Sequence, residues 1–168
     1  MIKLIATDID GTLVKDGTLI IDPEYMTVIS KLIDKGIIFT VCSGRQFSSE
    51  QKLFAPIKDK LMYITDGGTV VRTPDRILKT YPMSNELWKD MCRMVRDELP
   101  ACDYFAASPD LCYAEDGASP IFHRLRDSYG FEMREIDDLT KLENDDIIKF
   151  TVYHPDSCEE LCSPHFIP

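Results

Sequence analysis

No stretch of this 168-residue sequence approaches the roughly 18 consecutive apolar residues that a membrane-spanning helix requires. The apolar N-terminal run from Met1 to Ala6 is too short for a secretory signal and leads straight into Asp8, so a cytoplasmic protein without a membrane partner is expected. Basic excess is missing too: 19 Lys and Arg against 29 Asp and Glu leave a net charge of −10, which argues against a nucleic-acid partner. An anionic small molecule would then need local positive charge, from a metal ion or a helix N-terminus, to offset the overall repulsion. Six cysteines are scattered along the chain, and with no secretory signal they read as reduced thiols rather than a disulfide framework. Cys158 and Cys162 could face one way on a helix, but no second pair or placed histidine completes a metal site there. Internal repeats and low-complexity stretches are absent.

What is present is the composition of an ordinary globular protein. Apolar residues make up 44% and charged residues 29%, enough to bury a core in one full domain or two small ones. Ile2 to Ala6 is a short continuous apolar run, the pattern of a strand buried on both faces of a parallel sheet. Asp22-Pro23-Glu24 opens a helix, with Asp22 as cap and Pro23 at the first helical position, and Gly36 closes it. A second buried strand is expected over Ile37 to Cys42, with a helix starting at once after Ser43-Gly44-Arg45 and running through Phe54. A third strand, Leu61 to Thr65, meets the turn Asp66-Gly67-Gly68, and a hairpin around Thr73 to Arg76 follows. Repeated strand-to-helix units imply an α/β fold with a Rossmann-like parallel sheet.

From Pro82 onward the organisation changes. Ser84 caps a helix with Leu87, Trp88, Met91, Val95 and Leu99 along one side. Short strands are expected near Cys102 to Ala106, Leu111 to Ala114 and Glu132 to Ile136, with a helix from about Ser119 to Tyr129. A last strand from Asp146 to Tyr153 should have one face buried and the other partly wet, and a helix begins at Asp156. The expected domains are therefore residues 1–82, an α/β unit, and 83–168, an α+β unit.

The chemistry concentrates where the first strand ends. Asp8 and Asp10 are two residues apart, so on an extended chain their side chains project to the same side. Parallel sheets bind ligands beyond the carboxyl ends of their strands, where both acids lie. Gly11 lets the backbone leave the strand and Thr12 adds a hydroxyl. Two adjacent carboxylates call for a cation, and Mg²⁺ suits one or two carboxylates completed by water and a phosphate. Asp8 could then attack phosphorus while Asp10 exchanges protons with the leaving oxygen and with water. An acidic loop or an isolated calcium-binding turn is the blander reading. Ser43, at the end of the second strand, could hold a phosphoryl oxygen, although a serine before a helix is ordinarily only an N-cap. Arg45 either meets substrate or is a solvated helix charge. His123 has no evident partner and reads as a surface or packing residue, and Trp88, Met91 and Met94 read as core.

Asp8-Ile9-Asp10-Gly11-Thr12 after an apolar strand resembles the first motif of the haloacid-dehalogenase (HAD) superfamily, and Ser43-Gly44-Arg45 is similar to the second motif of its Cof-like branch. The resemblance implies a phosphatase of small phosphorylated metabolites such as sugar phosphates. Asp8 would be the nucleophile, Asp10 the acid and base, and Ser43 a phosphoryl contact. Ile9, Gly11, Thr12, Gly44 and Arg45 would line the substrate site. Mg²⁺ would be held by Asp8 and by Asp10, the latter through its main-chain carbonyl. Asp66-Gly67 stands where such proteins usually carry Asn-Gly, and a plain turn is the favoured reading.

The branch also implies an α+β cap of the IIB-like type inserted after the third core strand, followed by a return to the core. That return is not seen, and neither are the family's lysine and its Gly-Asp-x-x-x-Asp metal motif. Lys141, Lys149, Asp116-Gly117 and Asn144-Asp145-Asp146 are poor substitutes. Both domains are accordingly expected to be incomplete. A catalytically incomplete fragment or pseudoenzyme, binding phosphate or another chain, is the alternative, and self-association through an unfinished core is expected. A phospho-accepting receiver domain fits less well, since receivers finish their sheet in regular alternation.

Overall fold

The computed structural model describes residues 1–15, 19–143 and 146–166. The chain divides into two units, Met1–Tyr81 with Tyr129–Phe131, and Pro82–Ser128 with Glu132–Pro168. No described helix is long and apolar enough to cross a membrane.

The first unit is an α/β structure in the order β1 (Leu4–Asp8), α1 (Pro23–Asp34), β2 (Ile38–Cys42), α2 (Phe47–Leu53), β3 (Met62–Thr65), β4 (Val70–Arg72) and β5 (Ile77–Thr80). Its five-stranded sheet follows the same order, β1-β2-β3-β4-β5. The first three strands are parallel and the hairpin of β4 and β5 adds antiparallel pairs. Helix α1 begins as its residues dictate: the Asp22 carboxylate accepts from the Glu24 amide at 2.8 Å, and Pro23 occupies the first turn. Its inward stripe meets Phe39, Val41, Phe54 and Tyr63 in one apolar cluster.

Two expectations need correction. β1 is not buried on both faces; it is first in the sheet order, and Leu4, Ala6 and Asp8 are exposed while Ile5 and Thr7 are half-buried. An apolar run reads alike for a central and an edge strand. Helix α2 does not start directly after Arg45 but at Phe47, with Gln46 as an N-cap that makes no side-chain bond. The cause lies in the next turn of the chain, because the Ser43 carbonyl accepts from the Gly67 amide and the Arg45 carbonyl from the Asp66 amide. Residues tied in this way to the β3–β4 turn do not enter a helix.

The second unit contains α3 (Asn85–Glu98), β6 (Asp103–Ala107), β7 (Cys112–Ala114), α4 (Pro120–His123), β8 (Met133–Glu135), β9 (Lys149–Tyr153), α5 (Cys158–Leu161) and α6 (Ser163–Phe166). Its four-stranded sheet runs β8-β7-β6-β9, with β6 antiparallel to both β7 and β9 and β7 parallel to β8. Ser84 caps α3 through the Leu87 amide, and Trp88, Cys92 and Val95 face inward. Leu87, expected on that stripe, is instead exposed. The helix expected over Ser119 to Tyr129 is α-helical only in α4 and widens into a π-helical stretch over Arg124–Tyr129. Phe150 and Val152 pack against the apolar clusters of this unit and Ile148 just before the strand is buried, as the alternation suggests, although every residue of β9 keeps some exposure. The single tail helix expected from Asp156 is two short ones. Asn144, Asp145, Ile167 and Pro168 lie outside the described residues.

Candidate active site at the ends of the parallel strands

The register of β1 on β2 places Asp8 opposite Cys42, and Ser43 continues the β2 line by donating its amide to the Ile64 carbonyl at 3.0 Å. The chain then folds back tightly after Asp8. The Ile9 carbonyl accepts amides from Thr12, Leu13 and Val14, and the Gly11 amide donates to Val14 at 2.8 Å. Gly11 sits at φ 79°, a left-handed conformation that strains any residue with a Cβ. Ile9 is fully buried in the core, so any contact it makes with a ligand is through its main chain.

This turn and the loop after β2 bring three of the singled-out side chains into contact. Ser43 Oγ donates to Asp10 Oδ2 at 3.3 Å and accepts from the Arg45 amide at 3.1 Å. Arg45 grips both oxygens of Asp10, Nε on Oδ2 at 3.0 Å and Nη2 on Oδ1 at 2.6 Å. Arg45 is only 5% exposed, which rules out the solvated helix charge considered from the sequence. Asp8 remains exposed, with the Thr12 hydroxyl 3.4 Å from its Oδ2. A Cβ added to Gly44 would meet no protein atom within 4 Å.

Asp66, at φ 54° and 2% exposed, accepts from the Thr65 hydroxyl at 2.8 Å and shapes the turn between β3 and β4. Through the amides of Asp66 and Gly67 this turn fixes the Ser43 and Arg45 main chain. The thiol of Cys42 is pushed up by burial first and then by the charges of Glu50 and Asp8. It therefore stays protonated beside the acids.

Among the described residues, no group of three or more His, Cys, Asp or Glu side chains converges to hold a metal ion. Mg²⁺ needs no such cage, since it accepts one or two carboxylates with water and phosphate filling the rest. The exposed Asp8 carboxylate suits that arrangement. The Asp10 carboxylate is committed to Arg45, which leaves the Asp10 main-chain carbonyl as its fitting donor.

In the second unit His123 does have partners, Asp127 at 3.4 Å and Arg126 at 2.9 Å, on the exposed side of the helix. Lys141 pairs with Asp138 at 3.3 Å. A cavity of about 270 Å³ there is lined by residues including Asp103, Tyr104, Ser119, Phe122 and Met133. None of the motif residues borders it. The Arg45–Asp10 clamp went unread in the sequence, its only signal being an arginine just after the serine that follows a strand.

The family model for haloacid dehalogenase-like hydrolases matches residues 5–164. The chain is 26% identical over 147 residues to 5-amino-6-(5-phospho-D-ribitylamino)uracil phosphatase YbjI of Escherichia coli (strain K12), covering 85% of this chain and 52% of that protein. A crystal structure of a Eubacterium rectale protein is similar with a TM-score of 0.85 and 81% identity, over 99% of this chain and 63% of that one. The HAD subclass IIB sugar phosphatase BT4131 is similar in fold, with a TM-score of 0.66 at 17% identity over 90% of this chain and 58% of that one. The chain thus spans about half the length of the curated relative it matches.

Proposed function

Because the chain belongs to the haloacid dehalogenase-like hydrolases, we propose that it carries the nucleophile half of a Mg²⁺-dependent phosphatase site for small phosphomonoesters. One observation carries this reading: an exposed Asp8 at the end of a parallel strand, two residues from an Asp10 held by Ser43 and Arg45. A carboxylate open to solvent can reach phosphorus, and a fixed one can serve as proton donor and acceptor.

In the proposed sequence Asp8 attacks phosphorus, the ester P–O bond breaks, and the leaving oxygen takes a proton from Asp10. Water then attacks the aspartyl phosphate and gives its proton to Asp10. The bond from phosphorus to Asp8 breaks, releasing inorganic phosphate and restoring both acids. With substrate bound, the Ser43 and Thr12 hydroxyls, each a single donor, would turn from Asp10 and Asp8 to phosphoryl oxygens, and Gly11 and Gly44 would keep the path to Asp8 clear. A bound Mg²⁺ would supply positive charge that offsets the repulsion between phosphate and carboxylates. YbjI, named for a phosphorylated ribityl compound, and BT4131, a sugar phosphatase, support a polyol or sugar phosphate as substrate. We assign residues 1–82 to the catalytic core and 83–168 to a substrate-selecting cap.

The second reading is a catalytically incomplete protein that binds phosphate or another chain. It is favoured by the absence, among the described residues, of a third acidic or histidine side chain converging with Asp8 and Asp10. Mg²⁺-dependent release of phosphate from p-nitrophenyl phosphate separates the two. Wild type should release phosphate and Asp8→Asn should not; equal, near-zero rates would leave the second reading.

A further inference from the structure

Arg45 lies in the loop after β2, and both ends of its peptide are tied down: its amide donates to Ser43 Oγ and its carbonyl accepts from the Asp66 amide. The side chain thus leaves a fixed base. From there it reaches back to Asp10, a residue 35 positions earlier, and places two donors on two oxygens. A forked contact of this kind fixes rotation of the carboxylate, which a single donor does not. Ser43 adds a third contact on Oδ2 at 3.3 Å. Asp8, by contrast, is exposed, with Thr12 at 3.4 Å. The Nε and Nη2 edge of the guanidinium is turned onto Asp10, so the fork that this edge can make is spent on the carboxylate.

We infer that Arg45 is a positioning residue, which aims the Asp10 carboxylate for proton transfer and does not bind the phosphoryl group. The inference rests on the phosphatase reading above and goes further, because it assigns Arg45 a role distinct from substrate contact. Proton transfer from Asp10 matters most when the leaving group is a poor one. An alkoxide must be protonated as it departs, whereas p-nitrophenolate departs without help. Loss of aim should therefore divide substrates by leaving group and leave binding unchanged.

The test compares wild type, Arg45→Met, Arg45→Lys and Asp10→Asn on glycerol 2-phosphate and on p-nitrophenyl phosphate, following p-nitrophenolate through the first turnover. Arg45→Met should lower kcat on glycerol 2-phosphate by about 10- to 100-fold with KM changed less than about threefold, and slow p-nitrophenolate release by less than about threefold. Arg45→Lys keeps the charge without the fork and should show the same division in smaller measure, which serves should the methionine variant fail to fold. Combining Arg45→Met with Asp10→Asn should add nothing to Asp10→Asn alone. A raised KM on both esters, or first-turnover release slowed equally from both, would overturn the inference. A second readout needs no turnover: in isotope-labelled protein the Arg45 Nε–H should give a solvent-protected resonance that moves in Asp10→Asn. A resonance untouched by Asp10→Asn overturns the pairing. A moved resonance in protein that releases no phosphate upholds the pairing and rejects the phosphatase reading alone.

Discussion

Asp8 and Cys42 face one another across the parallel ladder of β1 and β2. That register decides what the strand ends present, because Ser43 is the next residue along and the turn carrying Asp10 starts just after Asp8. A slip of one residue would send every side chain of β1 to the opposite face. The apolar cluster of Phe39, Val41 and Tyr63, against which Ile5 packs, opposes such a slip. Site and core are therefore set by the same pairing.

Ser43 ties the two loops of the site together, so its hydroxyl should matter to folding and to rate. Ser43→Ala leaves the Arg45 amide without its acceptor and removes a donor from Asp10. A loss of about 1 kcal/mol in urea unfolding is expected. Phosphate release should fall by about 10- to 100-fold, and Ser43→Thr, which keeps the hydroxyl, should recover most of it. A wild-type rate in Ser43→Ala would remove Ser43 from the machinery.

The residues most readable from sequence act on near neighbours. Asp22 with Pro23 starts α1, Ser84 starts α3, and Thr73 to Arg76 turn the hairpin, each through contacts within a few positions. The Asp8 to Thr12 motif was legible for the same reason: a strand end, a glycine turn and two acids lie together in the chain. Pairing over long separations left no such trace. Nothing in an arginine after Gly44 distinguishes a solvated charge from a clamp on a carboxylate 35 residues earlier. Arg96 likewise finds Glu115 and Asp138, 19 and 42 positions away, through the packing of α3 on its sheet. The edge position of β1 was hidden because hydrophobicity records what a segment can bury, not how many neighbours it has.

The Arg96 network predicts how the second unit responds to acid. Arg96 donates to Glu115 and, at 2.6 Å, to Asp138. Burial alone would raise the Glu115 carboxyl, but hydrogen bonds from Arg96, Tyr104 and the Leu139 amide outweigh it and hold it below the ordinary range. Asp138 is held well below that range by Arg96 first and then Thr140. Both folded values lie under the unfolded ones, so their stabilisation is present above about pH 4 and is lost as pH falls through the folded values. The single tryptophan, Trp88, is 1% exposed and reports this unit by fluorescence. Arg96→Met should lower stability at neutral pH and flatten its decline below about pH 4. An unchanged acid profile in the variant would show that the network does not govern it.

The open side of β1 predicts association between copies. Leu4, on the strand that stands first in the sheet order, is 54% exposed, and Ile2 just before that strand is 68% exposed. Strand edges of this kind recruit partners unless a charge interrupts them. Sedimentation velocity should show a dimer growing with protein concentration, and Leu4→Lys should shift the profile back toward monomer. A monomeric profile for the wild type across the whole concentration range would dismiss the edge as an interface.

Cys102 and Cys162 set proximity against ionisation. Their sulfurs are 3.4 Å apart and both residues are buried, although 60 positions separate them in the chain. Nearness favours a disulfide. Burial first, and then Cys162 itself, push the Cys102 thiol well above its ordinary range, so thiolate is scarce at neutral pH. Exchange rates follow the thiolate and its access to reagent, so ionisation should govern and the pair should stay reduced in the native protein. Incubation with oxidised glutathione at neutral pH should yield no bond between Cys102 and Cys162 by peptide mass mapping. In guanidinium both thiols should react at ordinary rates, since burial and the neighbouring sulfur are then gone. Rapid crosslinking in the folded state would mean that α5 and α6 open readily enough to expose both sulfurs.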